Sequence, residues 1–499
     1  MNGVQYEKLL SQFETEIREG RGSDIRQKLL TFKASDIPRM QLFQFCNLAR
    51  RTGLPNISLR ALHPVLRSEK TGISPSNNEI IEYAAALIAI GATAEANKLL
   101  SDTSLQKSEP RVLFFLAMTH FRNWQYEEAL PHLNKYVELI SDNYAKLVGQ
   151  VNVCAALCST NRIDAAKALV HPLLEESKSL NSVLLHGNLL EIAGQIEFYK
   201  ENFDKALDHF SDSEKILKNT GALSSIYPRK WQHLIRAKNE RSIHEAFMVM
   251  APVMKEARKQ RDWETLRDID KRLGVFFQDM FLAEKLYFGT PFASYRDQLL
   301  EVFPGFSLPE NFFLCNRWKN AIKGPTLDLR SGKLEGEEIG LKSGSLPHRL
   351  FGTLLKDFYR PFSVGTLFGE LHPDEFYNPF TSNDRVFQTV KRLRGIFEEN
   401  NLPVKITQLH YEYSLKIVGN LNVRLRSLDL SLKPKNFKDV HLSEKFKTLS
   451  LRGDFSVNDV IGELNMSPRT ANRVLSDQVQ KGNLVKFGKG KRTRYKLAA

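Results

Sequence analysis

The residues best suited to chemistry lie in the stretch LVKFGKGKRTRYKL, at 484–497. Apolar residues alternate around a basic run, and Gly488 and Gly490 can supply a tight turn, so the pattern predicts a β-hairpin with a cationic tip. A solvated tail would not need this alternation, whereas a cationic hairpin can contact phosphates or a minor groove. Six of the eleven residues from 486 to 496 are basic, namely Lys486, Lys489, Lys491, Arg492, Arg494 and Lys496. The hairpin's predicted DNA contacts are Lys489, Lys491, Arg492 and Arg494.

A helix with recognisable start signals precedes this hairpin. Ser467 is suited to cap it, and Pro468 to its first position, where the missing N–H costs nothing. The helical period turns Ala471, Leu475 and Val479 towards a core. The other face begins at the helix N-terminus, the part of a recognition helix that reaches base edges. Its predicted DNA contacts are Ser467, Arg469, Thr470, Asn472 and Arg473.

Residues 442–499 resemble the small winged helix-turn-helix domains of bacterial repressors. The resemblance rests on the S-x-x-T helix start at Ser467 and Thr470, and on Gly482 after the helix. It implies a recognition helix followed by a wing, both placed on double-stranded DNA. A polar connector at 419–441 separates this domain from the preceding one.

The middle of the chain, 326–418, predicts short strands, three helices and a closing hairpin, which is the order of a winged helix. In its longest helix, apolar residues recur at Val386, Val390, Leu393 and Phe397 and indicate a buried face. The stretches VFQTVKRLRGIFEEN and ITQLHYEYSLKI resemble the effector domain of OmpR/PhoB-type response regulators, which implies that this helix enters the major groove. Protein contact is the alternative for this domain. Its predicted DNA contacts are Arg385, Gln388, Lys391 and Arg392.

The first part, 1–318, carries an irregular repeat. LAMTHFRNWQYEEALPHL at 116–133 aligns without a gap on AGQIEFYKENFDKALDHF at 193–210. Equivalent alanines stand at Ala96, Ala129, Ala166 and Ala206, with spacings of 33, 37 and 40 residues. This pattern resembles the tetratricopeptide repeat and implies an α-solenoid that binds a protein or peptide partner. A spacer or a dimerisation arm is the alternative.

Charge is concentrated at the C-terminal end. Residues 321–499 hold 30 Lys and Arg against 19 Asp and Glu, so this part contributes +11 to the net charge of +14. Such a local excess favours an anionic partner, and nucleic acid over lipid. No apolar run is long enough for a membrane helix, and the N-terminal segment lacks the apolar core of a signal peptide, so we expect a cytoplasmic location without membrane contact.

The sequence gives no sign of an enzyme, a metal site or a cofactor. We find no GxxxxGK[ST] loop, HExxH or GxSxG motif. Cys154 and Cys158 lie one helical turn apart without a His or Asp cluster beside them, which favours small core residues over metal ligands. GKGKRT lies between two strand-like segments and lacks the helix that a phosphate loop requires.

The expected fold class is mostly α: an irregular tetratricopeptide-like α-solenoid followed by two winged-helix domains. Regulators that join OmpR-like domains to tetratricopeptide repeats form a class. The chain resembles them, with the order of the domains reversed and a second DNA-binding domain added. The resemblance implies a DNA-binding transcriptional regulator. The alternative is a non-enzymatic scaffold whose winged helices contact proteins. The oligomeric state stays open.

Overall fold

The computed structural model describes residues 3–18, 22–67, 74–218, 225–316, 322–431, 437–464 and 466–498. These residues form two compact units. The first unit consists of Met1–Pro309, Thr353–Lys391 and Val404–Lys416, and the second of Glu310–Gly352, Arg392–Pro403 and Ile417–Ala499. Within the described ranges, no helix has the length and apolar character needed to cross a bilayer.

The first unit is built mainly of helices that pack on their neighbours in the chain. Aspartates cap several of them: Asp142, Asp262 and Asp279 accept a hydrogen bond from a backbone N–H of the first helical turn. The helices are α1 (Gly3–Arg18), α2 (Gly22–Leu30), α3 (Arg39–Arg51), α4 (Pro55–Arg67), α5 (Asn77–Ala89), α6 (Thr93–Leu100), α7 (Thr103–Ser108), α8 (Arg111–Arg122), α9 (Tyr126–Leu139), α10 (Asn143–Ser159), α11 (Ile163–Ser179), α12 (Val183–Tyr199), α13 (Phe203–Lys218), α14 (Ile226–Lys238), α15 (Ile243–Gln260), α16 (Trp263–Phe277), α17 (Met280–Phe288) and α18 (Ala293–Val302).

The predicted helical repeat is confirmed by the packing of its small residues. The four repeat alanines at 96, 129, 166 and 206 are all fully buried. Gly194 lies so close to Phe210 that a Cβ there would overlap the aromatic ring. Small side chains therefore let successive helices approach closely, as the aligned segments indicate.

The turns between these helices also repeat. Five residues before each repeat alanine the backbone has a positive φ: 83° at Gly91, and 59° at each of Trp124, Asn161 and Glu201. Glycine and asparagine adopt this left-handed conformation readily, but a bulky side chain rarely does. Trp124 is the unusual member of the set.

Two later segments of the chain belong to the same unit. They contain β5 (Phe362–Ser363), α20 (Val364–Leu371), the start of α21 (Ser382–Glu399), β6 (Val404–Leu409) and most of β7 (Glu412–Ile417). The strands form a sheet in the order β5-β7-β6, with Ser363 opposite Glu412. His410 and Tyr411 make the turn between β6 and β7, both with positive φ.

These segments are attached to the helical repeats by polar contacts. The Arg267 side chain is fully buried and donates two hydrogen bonds to Asp357, at 2.9 and 2.8 Å. The Tyr377 backbone N–H donates to Glu95 at 2.6 Å, and Thr366 Oγ1 donates to the Gly91 carbonyl at 3.2 Å. Buried charges such as Arg267 and Asp357 are tolerated only when they are paired. This ion pair and the two hydrogen bonds therefore define where the later segments lie on the helical repeats.

The second unit contains a mixed sheet in the order β1-β8-β2-β3-β4, in which β2 and β8 run parallel and the other neighbours antiparallel. A buried ion pair between Arg330 and Asp429, 2.6 Å apart, lies beside it. The strands are β1 (Asn311–Leu314), β2 (Thr326–Asp328), β3 (Lys333–Leu334), β4 (Glu337–Glu338) and β8 (Asn422–Arg426). The helix α19 (Leu346–Leu354) continues from this unit into the first.

The C-terminal residues of the second unit form three helices and a two-stranded hairpin around their own apolar core, which includes Phe446, Phe455 and Tyr495. Ser467 accepts a hydrogen bond from the Thr470 N–H at 3.3 Å, so the predicted cap of the third helix is confirmed. Gly482 and Gly488 have positive φ. The elements are α22 (Phe437–Leu451), α23 (Val457–Leu464), α24 (Pro468–Gln480), β9 (Leu484–Phe487) and β10 (Arg494–Leu497).

Candidate functional site

One candidate site is the cationic surface formed by α24 and the β9–β10 hairpin. Residues 466–499 contain nine Lys and Arg against a single acidic residue, Asp477. On α24, Ala471, Val474 and Leu475 are buried, which leaves the opposite face to solvent. The predicted contacts on that face with exposed side chains are Ser467, Arg469, Asn472 and Arg473. Thr470 is half-buried, and its hydroxyl lies 2.9 Å from that of Ser467.

Most cations of this surface are uncompensated. Arg494 is exposed and lies 3.6 Å from Asp459. The side chain of Lys491 lies outside the described part of the structure. The exposed cations that form no ion pair with any described residue are Arg469, Arg473, Lys486, Lys489, Arg492 and Lys496.

The hairpin register differs from the sequence interpretation in one respect. Leu484 and Tyr495 are buried, as the alternation suggests, but Phe487 is 37% exposed. The cause is that Phe487 pairs with Arg494 while Tyr495 pairs with Lys486, and cross-strand partners share a face. An exposed aromatic ring therefore accompanies the cations on the outer face.

The four predicted contacts on α21 are all exposed: Arg385, Gln388, Lys391 and Arg392. The apolar residues assigned to the buried face, Val386, Val390, Leu393 and Phe397, are indeed buried. Arg385 is already engaged, since one guanidinium nitrogen donates to Glu375 at 2.9 Å and also lies 3.0 Å from His372 Nδ1. Arg385 could contact a base only if its ion pair with Glu375 were broken. Gln388, Lys391 and Arg392 form no ion pair or side-chain hydrogen bond with the described residues.

A second candidate site is a cleft of about 1370 Å³ in the first unit. Trp124, Trp231 and Trp263 line it, and the fourth tryptophan, Trp318, lies outside the described residues. Trp124 packs edge-on against Tyr295, with ring centroids 4.6 Å apart. Trp124 and Trp263 are half-buried and present flat apolar surface to a ligand at low entropic cost, whereas Trp231 is only 2% exposed.

The wall of the cleft also carries paired charges. Asp268 lies 2.6 Å from Lys230 and 3.3 Å from Arg272, and Arg272 donates to the Tyr199 hydroxyl at 2.6 Å. Burial would raise the pKa of the Asp268 carboxyl, but these two cations outweigh it and hold the pKa below its usual range. Burial, opposed by Lys230, raises the pKa of Glu191, which accepts a hydrogen bond from the Trp231 indole at 2.7 Å.

A cluster of three half-buried arginines, Arg122, Arg261 and Arg360, lines the same cleft with Glu412. Arg261 forms an ion pair with Glu412. Burial and the nearby Arg360 lower the pKa of Arg122 to about 10, while Glu412 acts in the opposite direction. We refer to Arg122, Arg261 and Arg360 as the arginine cluster.

The residues of the cleft share no sequence pattern that would group them, because they come from helices that are distant along the chain. Trp124 carried a usable signal, since a bulky aromatic residue stands at the turn position where the other repeats have Gly91, Asn161 and Glu201. Cys154 and Cys158 are buried, as expected, and burial raises the pKa of both thiols to about 12. Among the described residues, no group of three or more metal-ligating side chains comes together.

Comparison with known proteins gives only distant similarity. No family model and no curated protein matches the chain. A solved structure of a Rap protein complexed with competence and sporulation factor shares 12% identity, with a TM-score of 0.38, over 57% of this chain and 84% of that one. The apo form of RapI shares 15% identity, with a TM-score of 0.31, over 47% of this chain and 81% of that one. Both scores are low, and the helical-repeat assignment rests on this chain's own packing.

Proposed function

We propose that the chain is a DNA-binding transcriptional regulator, in which the C-terminal cationic surface binds double-stranded DNA and the helical repeats bind a short peptide. The observation that best supports this proposal is the charge of residues 466–499, which hold nine Lys and Arg against one Asp. Most of the described cations among them are exposed and form no ion pair with a described residue. Cations of this kind release the counterions of DNA on binding, which is the main source of non-specific affinity. The proposal assigns no catalytic step to the chain.

The two parts of the cationic surface have different roles in this proposal. The side chains of Arg469 and Arg473 lie one turn apart on the exposed face at the start of α24, where a guanidinium can reach a guanine edge. Lys489 and Arg492 lie at the hairpin tip and follow phosphates, which carry no sequence information. Specificity is thus assigned to the helix, and general affinity to the hairpin.

Peptide binding by the repeats is supported by the size and lining of the cleft. Its volume of about 1370 Å³ exceeds the ~300–1,000 Å³ of typical small-molecule pockets. Aromatic rings and both paired and unpaired charges line it, which suits a peptide that offers both apolar side chains and charged ends. The occupant we propose is a short extended peptide.

The DNA assignment is tested on the full chain by binding to selected and scrambled duplexes over a range of salt. Lys489→Ala/Arg492→Ala should weaken all sequences alike and lower the salt slope by about 1.8, or 0.9 for each lost phosphate contact. Arg469→Ala or Arg473→Ala should cost about 1–3 kcal/mol on the selected site alone. Lys135→Ala/Lys178→Ala removes two exposed cations of the repeats and serves as the matched control.

The second candidate is a scaffold that binds only proteins. It is favoured by one observation, the attachment of residues 353–391 and 404–416 to the helical repeats through buried polar contacts such as Arg267–Asp357. Absence of DNA binding by the full chain at low salt would decide for the scaffold. If Lys489→Ala/Arg492→Ala and Lys135→Ala/Lys178→Ala weakened DNA binding equally, the hairpin would have no special role in binding DNA.

A further inference from the structure

The arginine cluster of the cleft has more positive charge than its surroundings compensate. Arg122 and Arg360 form no ion pair with any described residue, and Arg261 pairs only with Glu412 among them. The Arg261 Nε is buried without a hydrogen-bond partner. A buried donor left unpaired is costly, so the cluster is suited to receive a further acceptor.

The neighbouring acids do not fill this role. Asp357 accepts both hydrogen bonds of Arg267, and Glu264 lies 3.2 Å from Arg267 and accepts from the Trp124 indole at 3.2 Å. The field of Arg360 reaches Glu264, but burial raises the pKa of that carboxyl. Asp357 and the Oε2 atom of Glu264 are therefore engaged by Arg267, while Glu264 Oε1 is buried without a hydrogen-bond partner. Among the described residues, Glu412 is the carboxylate that forms an ion pair with the cluster.

Glu412 is a carboxylate supplied from far along the chain. It begins β7, directly after the turn at His410 and Tyr411, and its strand neighbour is Ser363. Arg261 reaches it from the turn between α15 and α16, where its φ is 61°. Asn161 and Glu201 have nearly the same φ in other turns between the repeat helices, so the repeat geometry places Arg261 here.

We propose that the arginine cluster binds the C-terminal carboxylate of the peptide ligand, and that this carboxylate displaces Glu412 from Arg261. This inference rests on the proposed peptide-binding function. A carboxylate is the class of ligand because the protein's own carboxylate already occupies the site, and planar guanidinium groups bind it through two parallel hydrogen bonds. Glu412 then acts as an internal competitor that the ligand must replace.

Displacement of Glu412 would affect α21 through the aromatic residues beside it. Tyr411 and Tyr413, on either side of Glu412, contact Phe387 of α21, with ring centroids 6.3 and 6.4 Å apart. Phe387 precedes the exposed Gln388 on that helix. Release of Glu412 therefore loosens the β6–β7 hairpin next to a surface that we predicted to contact DNA or protein.

The test uses the full chain and two pools of random hexapeptides, one with free C-terminal carboxylates and one with C-terminal amides. Peptides retained by the protein are identified by mass spectrometry. The wild type should retain the carboxylate pool about tenfold better, since charge-assisted hydrogen bonds to the cluster are lost with the amide. Arg122→Gln/Arg360→Gln should remove this preference, and Glu412→Gln should increase retention of the carboxylate pool. Arg236→Gln, on the exposed side of α14, is the matched control.

The outcomes separate the two proposals. Equal retention of both pools would overturn the carboxylate site while leaving peptide binding intact, and no retention of either pool would overturn both. Inorganic phosphate that competes with the peptides far better than acetate would also overturn the carboxylate assignment. A second measurement does not depend on variants that fold: amide exchange within 404–413 of the wild type should rise when a retained peptide is added. Unchanged exchange there would contradict displacement of Glu412.

Discussion

Gly91 provides a direct test of how the segment after α19 is attached to the helical repeats. It lies in the turn between α5 and α6 with φ 83°, and a Cβ there would overlap the hydroxyl groups of Ser363 and Thr366. Gly53 has a nearly identical φ of 82°, with nothing within 4 Å of its Cβ position. The stability lost in Gly53→Ala therefore measures the cost of the left-handed backbone alone. The loss in Gly91→Ala measures that cost plus the loss of the contact with Ser363 and Thr366.

The magnitudes follow from these differences. A left-handed backbone costs an alanine about 1–2 kcal/mol in either variant. In Gly91→Ala, the Thr366 hydrogen bond to the Gly91 carbonyl and the Ser363 hydrogen bond to the Ile90 carbonyl are also disrupted, at about 0.5–1.5 kcal/mol each. We thus expect Gly91→Ala to lower the free energy of unfolding by about 2 kcal/mol more than Gly53→Ala.

Urea unfolding followed by tryptophan fluorescence measures the stability difference, and amide exchange in 362–371 shows whether the loss is local. Thr366→Ala in the Gly91→Ala background should recover part of the loss, because it removes the nearest overlapping hydroxyl. Equal destabilisation by Gly91→Ala and Gly53→Ala, or unchanged exchange in α20, would refute the described attachment.

Three further predictions concern buried positions. Ala206→Trp should lower the melting temperature sharply, because overpacking this fully buried slot costs about 1–3 kcal/mol or more. Arg267→Met should cost about 3–5 kcal/mol in urea unfolding, since it leaves the buried Asp357 carboxylate unpaired, and Asp357→Leu added to it should cost less than the separate effects combined. Burial lowers the pKa of His348 to about 4, and its Nδ1 accepts the Gly344 N–H while its Nε2–H donates to the Leu329 carbonyl. The unfolded chain then binds more protons between pH 6.5 and 4, so stability should fall by up to about 3 kcal/mol as the pH drops through this range, and His348→Gln should lack this part of the dependence in urea titrations.

The sequence by itself determined the local elements and the helical repeats. Small residues at a repeating interval mark the positions where two helices approach closely, so Ala129 and Ala206 can be recognised from the residue pattern alone. The cap at Ser467 depends on residues within one turn, and the buried face of α21 depends on the helical period alone. Assignment of the two later domains to winged-helix families, and of α24 and α21 to DNA, stays a prediction.

Only the tertiary structure decided which distant residues meet. The cleft joins Arg122, Arg261, Arg360 and Glu412, whose separations along the chain follow no local period. The same holds for Arg267 and Asp357, and for the attachment of Thr366 to Gly91. Local sequence encodes φ, ψ and the direction of each apolar face, whereas a pairing between remote charges depends on how all the intervening helices stack. For this reason the cationic hairpin could be found from sequence, and the arginine cluster could not.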